Sequence, residues 1–193
     1  MKRLLLLLMF PLPFCADAQK WAKNYDFVDQ CSCGLAKVGK DNKVGYTDNN
    51  GKIIIPLMYD EGLTFSEGFT AVRSGSTWIF LDSSGKQLSD AKFEDAQNFH
   101  NGLAAVMRNG HYGYIDVQGK VAIDFQFSNA RDFSEGLAPI ANSHNLWGYV
   151  DGSGKTVINP QYDFADSFTN GEASVMKGNK TFYIDRENKV VHQ

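Results

Sequence analysis

The chain has 193 residues, with 19 lysines and arginines against 22 aspartates and glutamates, a formal net charge of −3, and 13% aromatic residues. A mildly acidic balance without a basic run disfavours nucleic acid as a partner. No apolar stretch reaches the roughly 20 residues that span a bilayer, so no membrane span is expected in the mature chain.

Residues 1–18 read as a secretory signal: Lys2-Arg3 is the charged start, Leu4 to Phe14 the apolar run, and Ala16-Asp17-Ala18 a small-x-small site. Cleavage is expected between Ala18 and Gln19. Cys15 invites an acylated-lipoprotein reading, which the bulky Phe14 just before it disfavours. Removal of 1–18 leaves 17 basic against 21 acidic residues, a net −4, on a single domain of residues 19–193. An exported protein, periplasmic or extracellular, is the expectation.

The mature chain repeats. Aligned on a glycine before lysine, the copies are Gly51, Gly85, Gly119 and Gly154, with Asn188 as a fifth, at spacings of 34, 34, 35 and 34. Asp48, Asp82, Asp116, Asp151 and Asp185 stand three residues earlier, and Tyr46, Phe80, Tyr114, Tyr149 and Tyr183 two residues before those. A second column, Gly34, Gly68, Gly102, Gly136 and Gly171, keeps the same period. It follows Cys31, Phe65, Phe99, Phe133 and Phe168 by three residues. Two interlocked columns at one period establish internal repetition.

Taken in order, the elements are a partial unit at 25–43, whole units at 44–77, 78–111, 112–146 and 147–180, and a partial unit at 181–193. Each unit predicts three short strands, such as 103–108, 112–116 and 120–123, with Asn109-Gly110 turning the first pair. A connector of about ten residues with room for one helical turn follows. Such a unit cannot close a core alone, so neighbours must bury its aromatic columns. The prediction is all-β: a tandem array of about 34-residue three-stranded units, open and β-solenoid-like. The alternative is a closed, propeller-like ring of five units, fastened by the split first and last unit.

Tyr162-Asp163-x-Ala165-x-x-Phe168, Phe133-Ser134-Glu135-Gly136-Leu137-Ala138 and Trp147-Gly148-Tyr149 resemble the WG repeat, a β-rich repeat of bacterial proteins. The resemblance covers roughly residues 25 to 193 and implies a repeat scaffold without a shared chemistry. The Trp-Gly pair itself survives only at Trp147-Gly148; Val44-Gly45, Trp78-Ile79 and Tyr112-Gly113 stand at the corresponding places.

The aspartate column opens turns that end in Gly or Asn, where an Asx bond is reason enough for it. Trp78, Tyr112 and Trp147 share one column and read first as packing between repeats, with stacking on sugar rings as the alternative. Cys31 and Cys33 are the thiols left after cleavage: a disulfide or a soft-metal site such as copper is open to them, and Cys31, in a phenylalanine column, is expected to be buried. His100, His111, His144 and His192 form no motif. No nucleophile elbow, phosphate loop or zincin signature is present, and no cofactor is expected. The function predicted is therefore a non-enzymatic scaffold that binds a protein or a glycan at the cell envelope, with Glu61, Gln97 and Arg131 among the variable connector positions. A carbohydrate hydrolase with Glu67 and Glu135 as acid and base is the alternative.

Overall fold

The computed structural model describes residues 18–192; the signal segment and Cys15 lie outside the described residues. A short helix α1 (Ala18–Ala22) leads into β1 (Phe27–Val28), β2 (Leu35–Lys40), β3 (Lys43–Asp48) and β4 (Ile53–Tyr59). Then come β5 (Glu61–Gly62), β6 (Phe69–Ser74) and β7 (Thr77–Asp82), and next β8 (Asp95–His100), β9 (Leu103–Arg108), β10 (His111–Asp116) and β11 (Val121–Phe127). The fourth group is β12 (Asn129–Ala130), β13 (Leu137–Ala141), β14 (Trp147–Asp151) and β15 (Thr156–Tyr162). The fifth is β16 (Phe164–Ala165), β17 (Ala173–Lys177), β18 (Lys180–Ile184) and β19 (Val190–His192). Each group is one antiparallel sheet whose strands pair in chain order.

Four of the five sheets have four strands, not the three expected. The connector, read above as room for a helical turn, instead contributes a short first strand to the sheet that follows. Its Ala and Phe spacing serves packing between sheets: Ala130 and Phe133 are both buried against Tyr114. The second sheet has three strands, extended by isolated bridges from Trp78 to Phe93 and from Leu81 to Gln87.

Alternation within the strands gives the inner sheets two apolar faces, and four core clusters fill the spaces between successive sheets. Between the third and fourth sheets, for example, Tyr114, Ile123 and Phe127 meet Ala130, Phe133, Ile140 and Val150. Tyr46, Tyr114 and Tyr149 are wholly buried. Their hydroxyls donate to main-chain carbonyls of the next sheet, at Leu63 (2.6 Å), Arg131 (2.8 Å) and Asp166 (2.7 Å). Their rings meet Phe65, Phe133 and Phe168 edge-on at centroid distances of 5.1, 4.9 and 4.9 Å. One aromatic per unit thus supplies apolar area and one directed bond across each of these interfaces.

The first and fifth sheets each have one face that no described sheet covers. Ala36, Val38 and Thr47, on the face of the first sheet that would meet a preceding unit, are nevertheless buried. There the Trp21 ring packs against Gly51, the position at which Gly85 and Gly154 meet Ile55 and Ile123 of the sheet before them. On the outer face of the fifth sheet, Glu172, Thr181 and His192 stand where Leu137, Trp147 and Ile158 stand in the fourth.

Candidate functional site

The recurring carboxylates are engaged by backbone. Oδ1 of Asp48, Asp82, Asp116, Asp151 and Asp185 accepts two N–H bonds each within its own turn, at 2.8–3.1 Å. A second column caps the hairpin that follows it: Asp60 accepts from Gly75 N–H (2.6 Å), Glu94 from Asn109 (2.8 Å) and Gly110 (3.0 Å), and Asp163 from Gly178 (2.6 Å). The third column reaches across interfaces. Glu67 accepts from Asn101 and Gly102 N–H at 2.8 and 2.9 Å, and Glu135 from Gly171 N–H at 3.0 Å. These two glutamates, the acid and base of the hydrolase reading, are therefore tied to the turns of different units. Both hold φ near 52°, as do Cys33, Asn101 and Asn170 in the same column within a few degrees.

A parallel ladder breaks at one place. The Ser32, Ser66 and Ser134 hydroxyls donate to the carbonyls of Phe65, Phe99 and Phe168 in the next sheet, at 2.6–2.7 Å. The third sheet has His100 at that position, and its Nε2 lies 3.4 Å from Oδ2 of Asp132. Asp132 Oδ1 is buried without a hydrogen-bond partner. Burial holds the Asp132 carboxyl above the usual carboxylate range, and the nearby His100 opposes that shift. A depression of about 360 Å³ opens beside it, lined by Gln97, Asn129, Arg131, Asp132, Trp147 and Ser167. Arg131 lies over the Trp147 ring at 5.1 Å and pairs with Asp166 at 3.6 Å.

A raised carboxyl pKa means that the folded state favours the neutral acid, so this contribution is present at low pH and lost as pH rises through the folded-state value. Asp132→Asn is neutral throughout. It is expected to melt above the wild type at pH 8, with the gap narrowing as pH falls through the raised value, in thermal unfolding across that range.

The structure separates the residues singled out from sequence. Trp78 and Trp147 are buried, with Arg73 5.8 Å from the Trp78 ring, and Tyr112 is half-buried with its hydroxyl on Asp95. Arginine side chains lie over both tryptophan rings, Arg73 over Trp78 and Arg131 over Trp147. Cys31 is exposed, contrary to expectation: among the described residues no sheet precedes the first, so its column has nothing there to pack into. Cys33 is exposed as well, both thiols are free, and Cys33 Sγ lies 3.9 Å from the Phe65 carbonyl. Glu61 pairs with Arg73 at 2.8 Å, whereas Gln97 and Arg131 line the depression. His111 and His144 are exposed on hairpins. Sequence reasoning missed the pairing of His100 with Asp132, although a histidine in a serine column was the available signal.

Comparison with solved structures places the sheets among known folds. The designed protein Ika8 aligns over 86% of this chain and 61% of its own, at 10% identity and a TM-score of 0.56. Hsv2 of Kluyveromyces lactis aligns over 82% and 59%, at 13% identity and 0.55. Hsv2 of Kluyveromyces marxianus aligns over 82% and 57%, at 13% and 0.55. The chain thus spans about 60% of the length of these structures, and at such identities the likeness is one of fold. Comparison with curated proteins finds no match. Among the described residues no helix is long and apolar enough to cross a membrane. The model of the WG containing repeat matches residues 45–78, 80–111, 112–142 and 147–180, more than half of the chain, and the chain belongs to that family.

Proposed function

We propose that the protein is an exported, non-enzymatic repeat scaffold that binds a protein or a glycan at the cell envelope, in the periplasm or outside the cell. The observation that carries the reading is the contrast among its polar groups. The repeating carboxylates are bound to backbone N–H groups, while the connector residues Gln97 and Arg131 line an open polar depression together with Asp132. A shallow, mixed polar surface on a rigid frame suits recognition better than proton transfer. The array is open rather than a ring in this reading: Trp21 covers the first sheet, and polar replacements on the fifth resemble the capping units that repeat arrays use to end in water.

Thermal unfolding with envelope oligosaccharides and envelope-derived peptides tests it. A true ligand at 100 times its Kd adds about 2.7 kcal/mol, a rise of about 5–10 °C for a chain of this size. Gln97→Ala should reduce that rise, and chromatography should recover the ligand unchanged. A processed chain starting at Gln19 in the envelope fraction would support export. Retention of the intact signal in the cytoplasm, or hydrolysis of the ligand, would overturn the reading.

A further inference from the structure

The internal interfaces show what the fifth sheet has in place of a sixth neighbour. In three interfaces a tyrosine of one sheet is sealed by a phenylalanine of the next. Tyr183 occupies that column in the fifth sheet, and no described sheet follows it. It is 39% exposed, and His192 stacks on one side of its ring at 4.3 Å with 27° between planes. Positions that would make the face apolar have become polar. Glu172 replaces Leu137, and Ser174 replaces Pro139. Glu172 and Ser174 line, with Asp166, Ser167, Thr169 and Tyr183, a second depression of about 460 Å³. Ser167 belongs to both depressions, and the Arg131–Asp166 pair joins their linings.

We infer that the two depressions form one continuous binding trough for a neutral, linear oligosaccharide, with Tyr183 as the ring on which a sugar stacks. This rests on the scaffold reading and narrows it. The groups match the ligand. Carboxylate oxygens of Asp132, Asp166 and Glu172 accept from sugar hydroxyls; Ser167, Thr169 and Ser174 donate or accept; and Gln97 and Arg131 donate. A half-exposed aromatic amid such groups presents an apolar plane to the C–H face of a pyranose. Three carboxylates against one arginine and two histidines, His100 beside Asp132 at 3.4 Å and His192 beside Glu172 at 2.8 Å, leave no net positive charge above neutral pH to hold an anionic polymer. Apart from Tyr183, and Trp147 beneath Arg131, the lining side chains are polar and form no apolar socket for the anchoring side chains on which peptide recognition depends. The aromatic that serves is Tyr183 and not Trp147, which borders the trough with Arg131 over its ring.

The test is calorimetric titration of the full mature chain with hexamers of glucose and of N-acetylglucosamine, followed by Tyr183→Ala, Asp166→Asn and the distant Lys92→Ala. Binding of at least one hexamer is expected. Tyr183→Ala should weaken it at least tenfold, Asp166→Asn severalfold, and Lys92→Ala not at all. Circular dichroism should show all variants folded, since Tyr183 is outside the sealed interfaces. Silence with both hexamers, or binding that Tyr183→Ala leaves intact, would overturn the trough. If the hexamers are silent while a peptide raises the melting temperature, the glycan inference falls and the scaffold reading stands; if neither acts, both fall.

Discussion

Replacing Gly148 by alanine is expected to destabilise the protein by about 2–3 kcal/mol, lowering the melting temperature by about 4–10 °C, although alanine is the smallest change available. The cause is a close approach of backbone. A Cβ on Gly148 would lie 2.6 Å from the Pro160 nitrogen and 2.8 Å from the Asn159 carbonyl carbon. These atoms belong to a bulged stretch of β15, which pairs Trp147 with Tyr162 but Tyr149 with Ile158 and passes its extra residues over the glycine. The φ of Gly148 is outside the left-handed region, so the penalty is steric and not conformational. Gly152→Ala is the control: its Cβ would meet only Leu103 Cδ1 at 3.9 Å, and a change within about 0.5 kcal/mol is expected. Equal melting temperatures for the two variants would refute this account.

The same bulge explains where the glycine of the Trp-Gly pair is kept and where it is lost. Gly45 and Gly113 sit under equivalent register shifts in the first and third sheets. The second sheet has Ile79 at that place, and there the fourth strand is reduced to isolated bridges. In the fifth, β19 pairs with β18 at Tyr183 and Ile184, and among the described residues no strand passes over Phe182. The units that lack the glycine, at Ile79 and Phe182, are thus the ones in which no described backbone crosses that position, whereas the loss of tryptophan at Val44 and Tyr112 has no structural explanation.

How much was legible follows from the same physics. The aspartate and tyrosine columns announced themselves because turn geometry and interface packing each need one residue type at one place. Sheet boundaries did not, because the first strand of a sheet can be as short as Asn129–Ala130 and carries no alternation to read. The roles of Glu67 and Glu135 were hidden for another reason. Their partners are backbone N–H groups 34–36 residues away, and backbone leaves no trace in sequence. His100 and Asp132 were visible only as substitutions within columns, 32 positions apart, and the interface that joins them had to be seen.

Trp21→Ala is the second change with a large expected effect, about 2–3 kcal/mol or about 4–10 °C in melting temperature, and it decides how the array ends. Trp21 belongs to α1 and to no repeat, yet its ring fills the place against Gly51 that a preceding sheet would fill, and packs edge-on to Tyr25 at 6.0 Å. Beneath that end, Val38 is wholly buried, and the Trp21 indole nitrogen and Thr47 hydroxyl are buried without partners. Removing the ring should open this face to water. An environment-sensitive dye such as ANS should then bind the native variant, and association should grow with concentration. Trp21→Phe keeps an aromatic there and loses the unpaired N–H, so it is expected within about 1 kcal/mol of the wild type. A closed ring makes a different prediction, because the fifth sheet would then cover the first. Trp21→Ala would cost little, the dye would stay unbound, and Tyr183 would be protected from solvent quenchers; that combination would establish closure in place of caps.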